Sequence, residues 1–344
     1  MEARGSSTEY INADPNGLNS ASDADINIAL AYVYADKATR VYGWSNPSTT
    51  YLTMALNYIE AIRKNDFSTS DSNTANNHVL ADGYKQALNT FSAEKWHPDY
   101  SDLRAYQLFI TYDTNHVGFW LDAIDATRNC WKAIFNFGTN DKRTSENANI
   151  GPISPKTSWV RISNPTYRGL QANSKDYSSV TATRTAQDID PQYYSSDSQR
   201  LPIRIMNYVN ATLNGSDVDM LGIANSNLTA LGTSYTNASY KCLVDRVSIA
   251  NPWNQKQSDP PNCYVQNFTG GGLFAYASDS KLLYSNRATV YNKLNAQFGS
   301  NGTNGSIGMN ISSTDDDGFN ASLTLWALTV SKDGETLLQR LLGL

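Results

Sequence analysis

Ala21-Ser22-Asp23-Ala24-Asp25-Ile26-Asn27-Ile28-Ala29 opens the first segment of this chain with helical periodicity, in which Ile26, Ala29, Leu30, Val33 and Ala35 recur near a 3.6-residue spacing up to about Val41. Ser22 is placed to cap that helix and Asp25, three residues on, to complete a capping box. Two acids in a first turn also suit the positive end of the helix dipole. Taken alone, the run predicts a helix start and leaves neither acid in need of a chemical role.

Working outward, a second amphipathic segment runs from about Thr49 to Lys64, with Leu52, Ala55, Leu56, Ile59 and Ile62 on one face. Further helices are predicted over Asp102 to Tyr112, Trp120 to Phe137, Leu201 to Leu213, Ser216 to Leu231, Leu282 to Phe298 and Ala321 to Leu342. Strand signals are sparse. The connections are rich in Ser, Asn, Thr and Asp, above all Ser68 to Asn77, Gly138 to Ser198 and Asn251 to Thr269, and Gly270-Gly271-Gly272 reads as a turn. A loop as long as Gly138 to Ser198 is unusual in a compact domain unless it carries function. Packed helices presenting long loops at one end would build a cleft, and no linker-like stretch divides residues 1–344, so one domain is expected.

Composition excludes several functions. Charged residues make up 17% of the 344, the net charge is −5, and Lys and Arg are scattered, so nothing recruits a phosphate backbone and nucleic acid is not an expected partner. No apolar run approaches the roughly 20 residues of a bilayer span, and Met1 to Ser7 lacks the apolar stretch of a secretory signal. The three His, at 78, 97 and 116, lack paired ligand spacing, so neither a metal nor a cofactor is expected; His116 reads as a helix-end residue. The 21 Tyr and 7 Trp provide flat apolar faces with polar edges, which stack on pyranose rings but equally well fill cores.

Cys242 and Cys263 flank a Pro-, Asn- and Asp-rich loop and are candidates for a disulfide on spacing alone, whereas Cys130 lies in an apolar helical stretch. Nine Asn-x-Ser/Thr sequons occur, at Asn210, Asn214, Asn227, Asn237, Asn267, Asn301, Asn304, Asn310 and Asn320. They fit glycosylation of a secreted protein and, as readily, the composition of surface loops.

The opening run resembles the glycoside hydrolase family 8 signature, Ala-Ser/Thr-Asp-Ala/Gly-Asp-x-x-Ile/Met-Ala, with Ala31 and Ala35 at the expected offsets; Tyr32 and Thr39 depart from it. A second stretch, Ser196-Asp197-Ser198-Gln199-Arg200-Leu201-Pro202-Ile203-Arg204-Ile205, is similar to the family pattern Tyr-Asp-Ala-x-Arg-x-Pro-Trp-Arg-Ile, with Ser196 and Ile203 replacing the two aromatics. By that resemblance Asp197 is the general base of an inverting hydrolase and Arg200 braces it, a guanidinium favouring the ionised carboxylate. Asp23 holds the sugar beside the scissile bond. Without the resemblance, Asp197 reads as a helix N-cap and Arg200 as a surface pair. His97-Pro98-Asp99-Tyr100-Ser101 stands where the family has Asn-Pro-Ser-Tyr-Phe, which implies that Tyr100 faces the cleft. Arg200, Tyr100 and Asp25 are the substrate-binding residues the resemblance implies.

The fold it implies is all-α, an (α/α)6 barrel of helical hairpins lacking its first helices. The function the resemblance implies is inverting hydrolysis of a β-1,4-linked polysaccharide such as cellulose, xylan or chitosan, endoglucanase-like and extracellular. The family's general acid is a Glu in a Ser-Glu-Gly-type motif several dozen residues before the signature, and none of the six Glu here stands in that context. General acid catalysis contributes a factor of about 10² to 10⁴, so weak or absent activity is expected of this chain. The alternative is a non-catalytic carbohydrate-binding or structural extracellular glycoprotein, favoured by the missing acid, the replaced aromatics and the sequons.

Overall fold

The computed structural model describes residues 21–67, 80, 95–96, 99–134, 159–162, 180–183, 193–194, 199–211, 217–236, 246–248, 255–256 and 270–299. Among them, helices α1 (Ser22–Tyr42), α2 (Tyr51–Asn65), α3 (Leu103–Tyr112), α4 (Val117–Ile134), α5 (Arg200–Asn210), α6 (Val218–Thr236), α7 (Gly270–Ala277) and α8 (Arg287–Gly299) follow one another in antiparallel pairs. Local chemistry sets their ends. The N–H groups of Thr53, Ala105 and Met220 donate to the side chains of Thr50, Asp102 and Asp217, which cap α2, α3 and α6. α1 stops at Gly43, whose φ of 69° closes the helix in the left-handed conformation.

Burial sorts the helices into two rings. α5 is buried from Leu201 to Asn210, on every side, and α7 from Gly271 to Ala277; such helices belong to an interior. α2 buries one stripe, Ala55, Ile59 and Ile62, as an outer helix does. The pairs α1·α2, α3·α4, α5·α6 and α7·α8 pack as hairpins, while α1·α3, α3·α5 and α5·α7 touch in sequence. The first member of each hairpin therefore lies in an inner ring and the second outside it. An aromatic knot of Phe67, Tyr106, Phe109, Phe119 and Trp120, with ring centroids 5.0–5.9 Å apart, locks α2, α3 and α4 together.

Two small antiparallel sheets decorate this helical body: β1 (Lys95–Trp96), β2 (Trp159–Ile162) and β3 (Val180–Thr183) form one, and β4 (Tyr193–Tyr194), β5 (Arg246–Ser248) and β6 (Gln255–Lys256) the other. Three of these strands interrupt Gly138 to Ser198. At two to four residues each they are too short for alternation to register in a sequence.

The structure departs from two expectations of secondary structure, at Gly270 and at Leu282. Gly270-Gly271-Gly272 is the first turn of buried α7, where the Gly271 N–H donates to Gln199 Oε1 at 2.8 Å; tertiary burial has overridden poor helix propensity. Of the sequon asparagines, Asn227 is 1% exposed with its amide donating to the Ile223 carbonyl, and Asn210 is buried at the end of α5. The helix expected from Leu282 begins at Arg287. Cys242, Cys263, the sequons at Asn214, Asn237, Asn267, Asn301, Asn304, Asn310 and Asn320, and the helix expected over Ala321 to Leu342 lie outside the described residues.

Candidate active site

The first turn of α1 is not closed by a capping box. Its N-cap is Ala21, with no side-chain hydrogen bond, and Ser22 already lies inside the helix, fully buried. Asp23 therefore has no capping task, yet it is only 7% exposed. Its carboxylate is turned instead to the guanidinium of Arg200, an ion pair bridging 177 residues of sequence. Arg200 starts α5, and its Nε lies 2.9 Å from Asp99 Oδ2, so one planar cation spans two carboxylates. The same guanidinium lies over the ring of half-buried Tyr100, 5.1 Å from its centroid.

One turn further along α5, fully buried Arg204 fixes the other half of the frame. Its Nη1 donates to the Asp99 carbonyl at 2.6 Å and to the Tyr100 carbonyl, and its Nε lies 3.7 Å from Asp102 Oδ2. Asp102 Oδ1 meanwhile caps α3. Three carboxylates and two guanidiniums thus knit the first turns of α1 and α5 to the approach into α3. The Gln199 to Gly271 hydrogen bond adds the first turn of α7. All four inner helices present their N-terminal ends at one mouth.

Asp25 is directed elsewhere. It shares a hydrogen bond with Asp66, the 4%-exposed residue that follows α2, where burial and then the neighbouring Asp25 charge push the Asp66 carboxyl up to about 8. Two carboxyl groups in contact hold one proton between them, so this pair braces the α1–α2 hairpin beneath Asp23. Among the described residues no cluster of His, Cys, Asp and Glu is arranged to hold a metal. No described helix is long and apolar enough to cross a membrane. His116 ends the short 3₁₀ turn Thr114–His116 and is hydrogen-bonded to Asp113.

The structure brings together Asp23, Arg200 and Tyr100, three of the residues singled out from sequence, and separates Asp25 from them. Asp197 lies outside the described residues, two positions before Gln199. Asp99 and Arg204 are members of the cluster that sequence reasoning gave no role. The spacing of Arg200 and Arg204, one helical turn on a single face, was the available signal.

No family profile matches the chain, and no curated protein matches it in sequence. Solved structures do match. Rex8A from Paenibacillus barcinonensis complexed with xylose aligns at 14% identity and a TM-score of 0.58 over 93% of this chain and 69% of that one. A reducing-end-xylose releasing exo-oligoxylanase complexed with xylose aligns at 15% identity and a TM-score of 0.52, again over 93% and 69%. A Rex8A variant complexed with an arabinofuranosyl-xylotetraose aligns at 13% and 0.55. Rex8A and the exo-oligoxylanase are glycoside hydrolase family 8 proteins, and the helical hairpins described above are those of their (α/α)6 barrel, so the chain has the fold of the family its two sequence motifs resemble.

Proposed function

We propose that residues 1–344 act as one glycoside hydrolase family 8 domain on a β-1,4-linked glycan outside the cell, with a xylan-type chain as the first substrate to test. The observation that carries this is the Asp23–Arg200–Asp99 cluster under the Tyr100 ring, assembled at the mouth of the barrel from the first turns of α1 and α5 and the turn that leads into α3. A carboxylate held in place by a guanidinium is a fixed acceptor for hydrogen bonds from sugar hydroxyls. Asp23 is then the residue that holds the reacting sugar, and Tyr100 offers its ring face to the chain. Asp197, just ahead of α5, is the base that activates water. Inversion needs the base and the acid about 6.5 to 9.5 Å apart, with water between base and sugar. The sugars bound by Rex8A and the exo-oligoxylanase favour xylan over cellulose as that first substrate.

The test is reducing-sugar release from xylan, soluble cellulose and chitosan by the wild-type chain beside Asp197→Asn and Asp23→Asn. Slow release that Asp197→Asn abolishes supports the assignment, and Asp23→Asn should then weaken it by about 10²-fold, the penalty for a reacting sugar displaced by roughly 1 Å. Glycan retention without any release, unchanged by Asp197→Asn, would replace hydrolysis by binding alone.

A further inference from the structure

Directly below the cluster, further into the inner ring, α1, α3 and α5 leave a cavity of about 170 Å³, open on one side. Asn27, Leu30, Ala31 and Tyr34 of α1, Asp102 and Arg104 at the start of α3, and Asn207 of α5 are among the residues that line it. Asn27 lies one turn beyond Asp23, and Asn207 two turns beyond Arg200, so the cavity continues the same helix faces inward.

Two of its polar atoms are unmatched. Asn207 is 7% exposed, and its Oδ1 has no hydrogen-bond partner among the described residues. The Nε of Arg104 is likewise buried without a partner, and burial pulls that guanidinium below its ordinary pKa. A buried acceptor and a buried donor left without partners each cost about 1 to 3 kcal/mol, so whatever enters with matching groups is favoured. The Asn207 amide turns about a soft terminal torsion, which lets either of its polar atoms face the cavity.

The lining selects the chemistry of that occupant. An anion would satisfy Arg104 but face the Asn207 oxygen and the Asp102 carboxyl in the same wall. A cation would meet the Arg104 guanidinium. An apolar ring would leave both groups unpaired. Hydroxyls donate and accept, and so match both. The size fits as well, since a cavity of roughly 150 Å³ takes a six-membered ring. Leu30, Ala31 and the Tyr34 ring offer the apolar surface on which the C–H face of a sugar rests. We infer that this cavity binds a single neutral sugar ring, at a site separate from the Asp23–Arg200–Asp99 cluster and deeper in the barrel. It rests on the glycan reading of that cluster for the choice of sugars as probes, while the match of hydroxyls to Asn207 and Arg104 stands by itself.

Titration calorimetry of the full chain with D-xylose, D-glucose and cyclohexanol tests it, run on wild type, Ala31→Trp, Asn207→Leu and Asp197→Asn. Ala31 is exposed at the cavity wall, so Ala31→Trp fills the space without disturbing the core. Asn207→Leu removes the orphaned acceptor at little cost to folding. Saturable binding of a sugar to wild type is expected, abolished by Ala31→Trp and weakened at least about tenfold by Asn207→Leu, with melting temperatures maintained and cyclohexanol bound more weakly than either sugar. No saturable sugar binding, an affinity that survives Ala31→Trp, or cyclohexanol bound as well as the sugars overturns the inference. Asp197→Asn separates the two proposals: sugar bound by wild type and Asp197→Asn alike, with no hydrolysis by either, leaves the cavity standing and sinks the hydrolase; hydrolysis without binding that depends on the cavity does the reverse.

Discussion

Asp66→Asn will make the protein more stable at pH 7 and remove a pH dependence that the wild type shows. In the folded chain the Asp66 carboxyl, 4% exposed and hydrogen-bonded to Asp25, is pushed up to about 8 from an ordinary 3.8. A raised carboxyl pKa means that between those limits the folded state keeps a proton the unfolded state has released. Stability from this group is therefore fully present below about pH 4 and is lost as pH rises toward 8. The slope is about 1.4 kcal/mol per pH unit, so the wild type should lose roughly 2 to 3 kcal/mol between pH 5 and pH 7. At about 2.1 cal/mol/K of unfolding entropy per residue, that is a fall of about 4 °C in Tm. Asn keeps the size and donates an N–H to Asp25 with no proton to lose. Urea unfolding at pH 5, 6 and 7 measures the difference: the variant should match the wild type near pH 5 and exceed it by about 2 kcal/mol at pH 7. Parallel profiles, or a variant less stable than wild type at pH 7, would refute the shared-proton argument.

Arg200→Lys should lower both Tm and any glycan release, because a point charge cannot span Asp23 and Asp99 as the planar guanidinium does; a loss of about 2 to 3 kcal/mol in urea unfolding is expected. Arg204→Met leaves the Asp99 and Tyr100 carbonyls without their donor and should cost about 3 kcal/mol by the same measurement, while also loosening Tyr100, read as weaker glycan affinity. Gly232→Ala should destabilise by about 1 to 2 kcal/mol in thermal unfolding although Ala is the better helix former, because its Cβ would lie 2.7 Å from Cε1 of Tyr284. Gly232→Ala paired with Tyr284→Leu should recover most of that loss.

Helices with one wet face announced themselves. α1, α2, α3 and α6 start within two residues of where periodicity places them, because amphipathic stripes and caps are local signals. α7 was hidden for the opposite reason: it is short, buried throughout and begins with three glycines, so neither periodicity nor propensity marks it, and only packing against α5 makes it helical. The partnership of Asp23 with Arg200 was out of reach of spacing, which cannot link residues 177 apart; the family pattern put both in one site. Asp99 stands where that pattern has Ser, and its acidity was the overlooked clue. Asp66, one acid after a polar helix end, looks like any surface terminus until the packing of α1 on α2 buries it.

The distribution of these carboxyls follows from helix direction. In a ring of hairpins every inner helix runs the same way and every outer helix runs back. At the mouth, then, the inner helices offer N-terminal ends, which carry partial positive charge, and α2 offers its C-terminal end, which carries partial negative charge. Asp23 and Asp102 sit at inner N-termini, each beside a guanidinium. Asp66 sits at the C-terminal end of α2, against another carboxyl, where burial and charge favour keeping a proton. One end of the barrel thus holds guanidinium-paired acceptors and a carboxyl that keeps its proton within a few turns of each other. The guanidinium-paired set is the part suited to accepting hydrogen bonds from hydroxyls, and the protonated one, buried behind α1, acts on the site only through the backbone it braces.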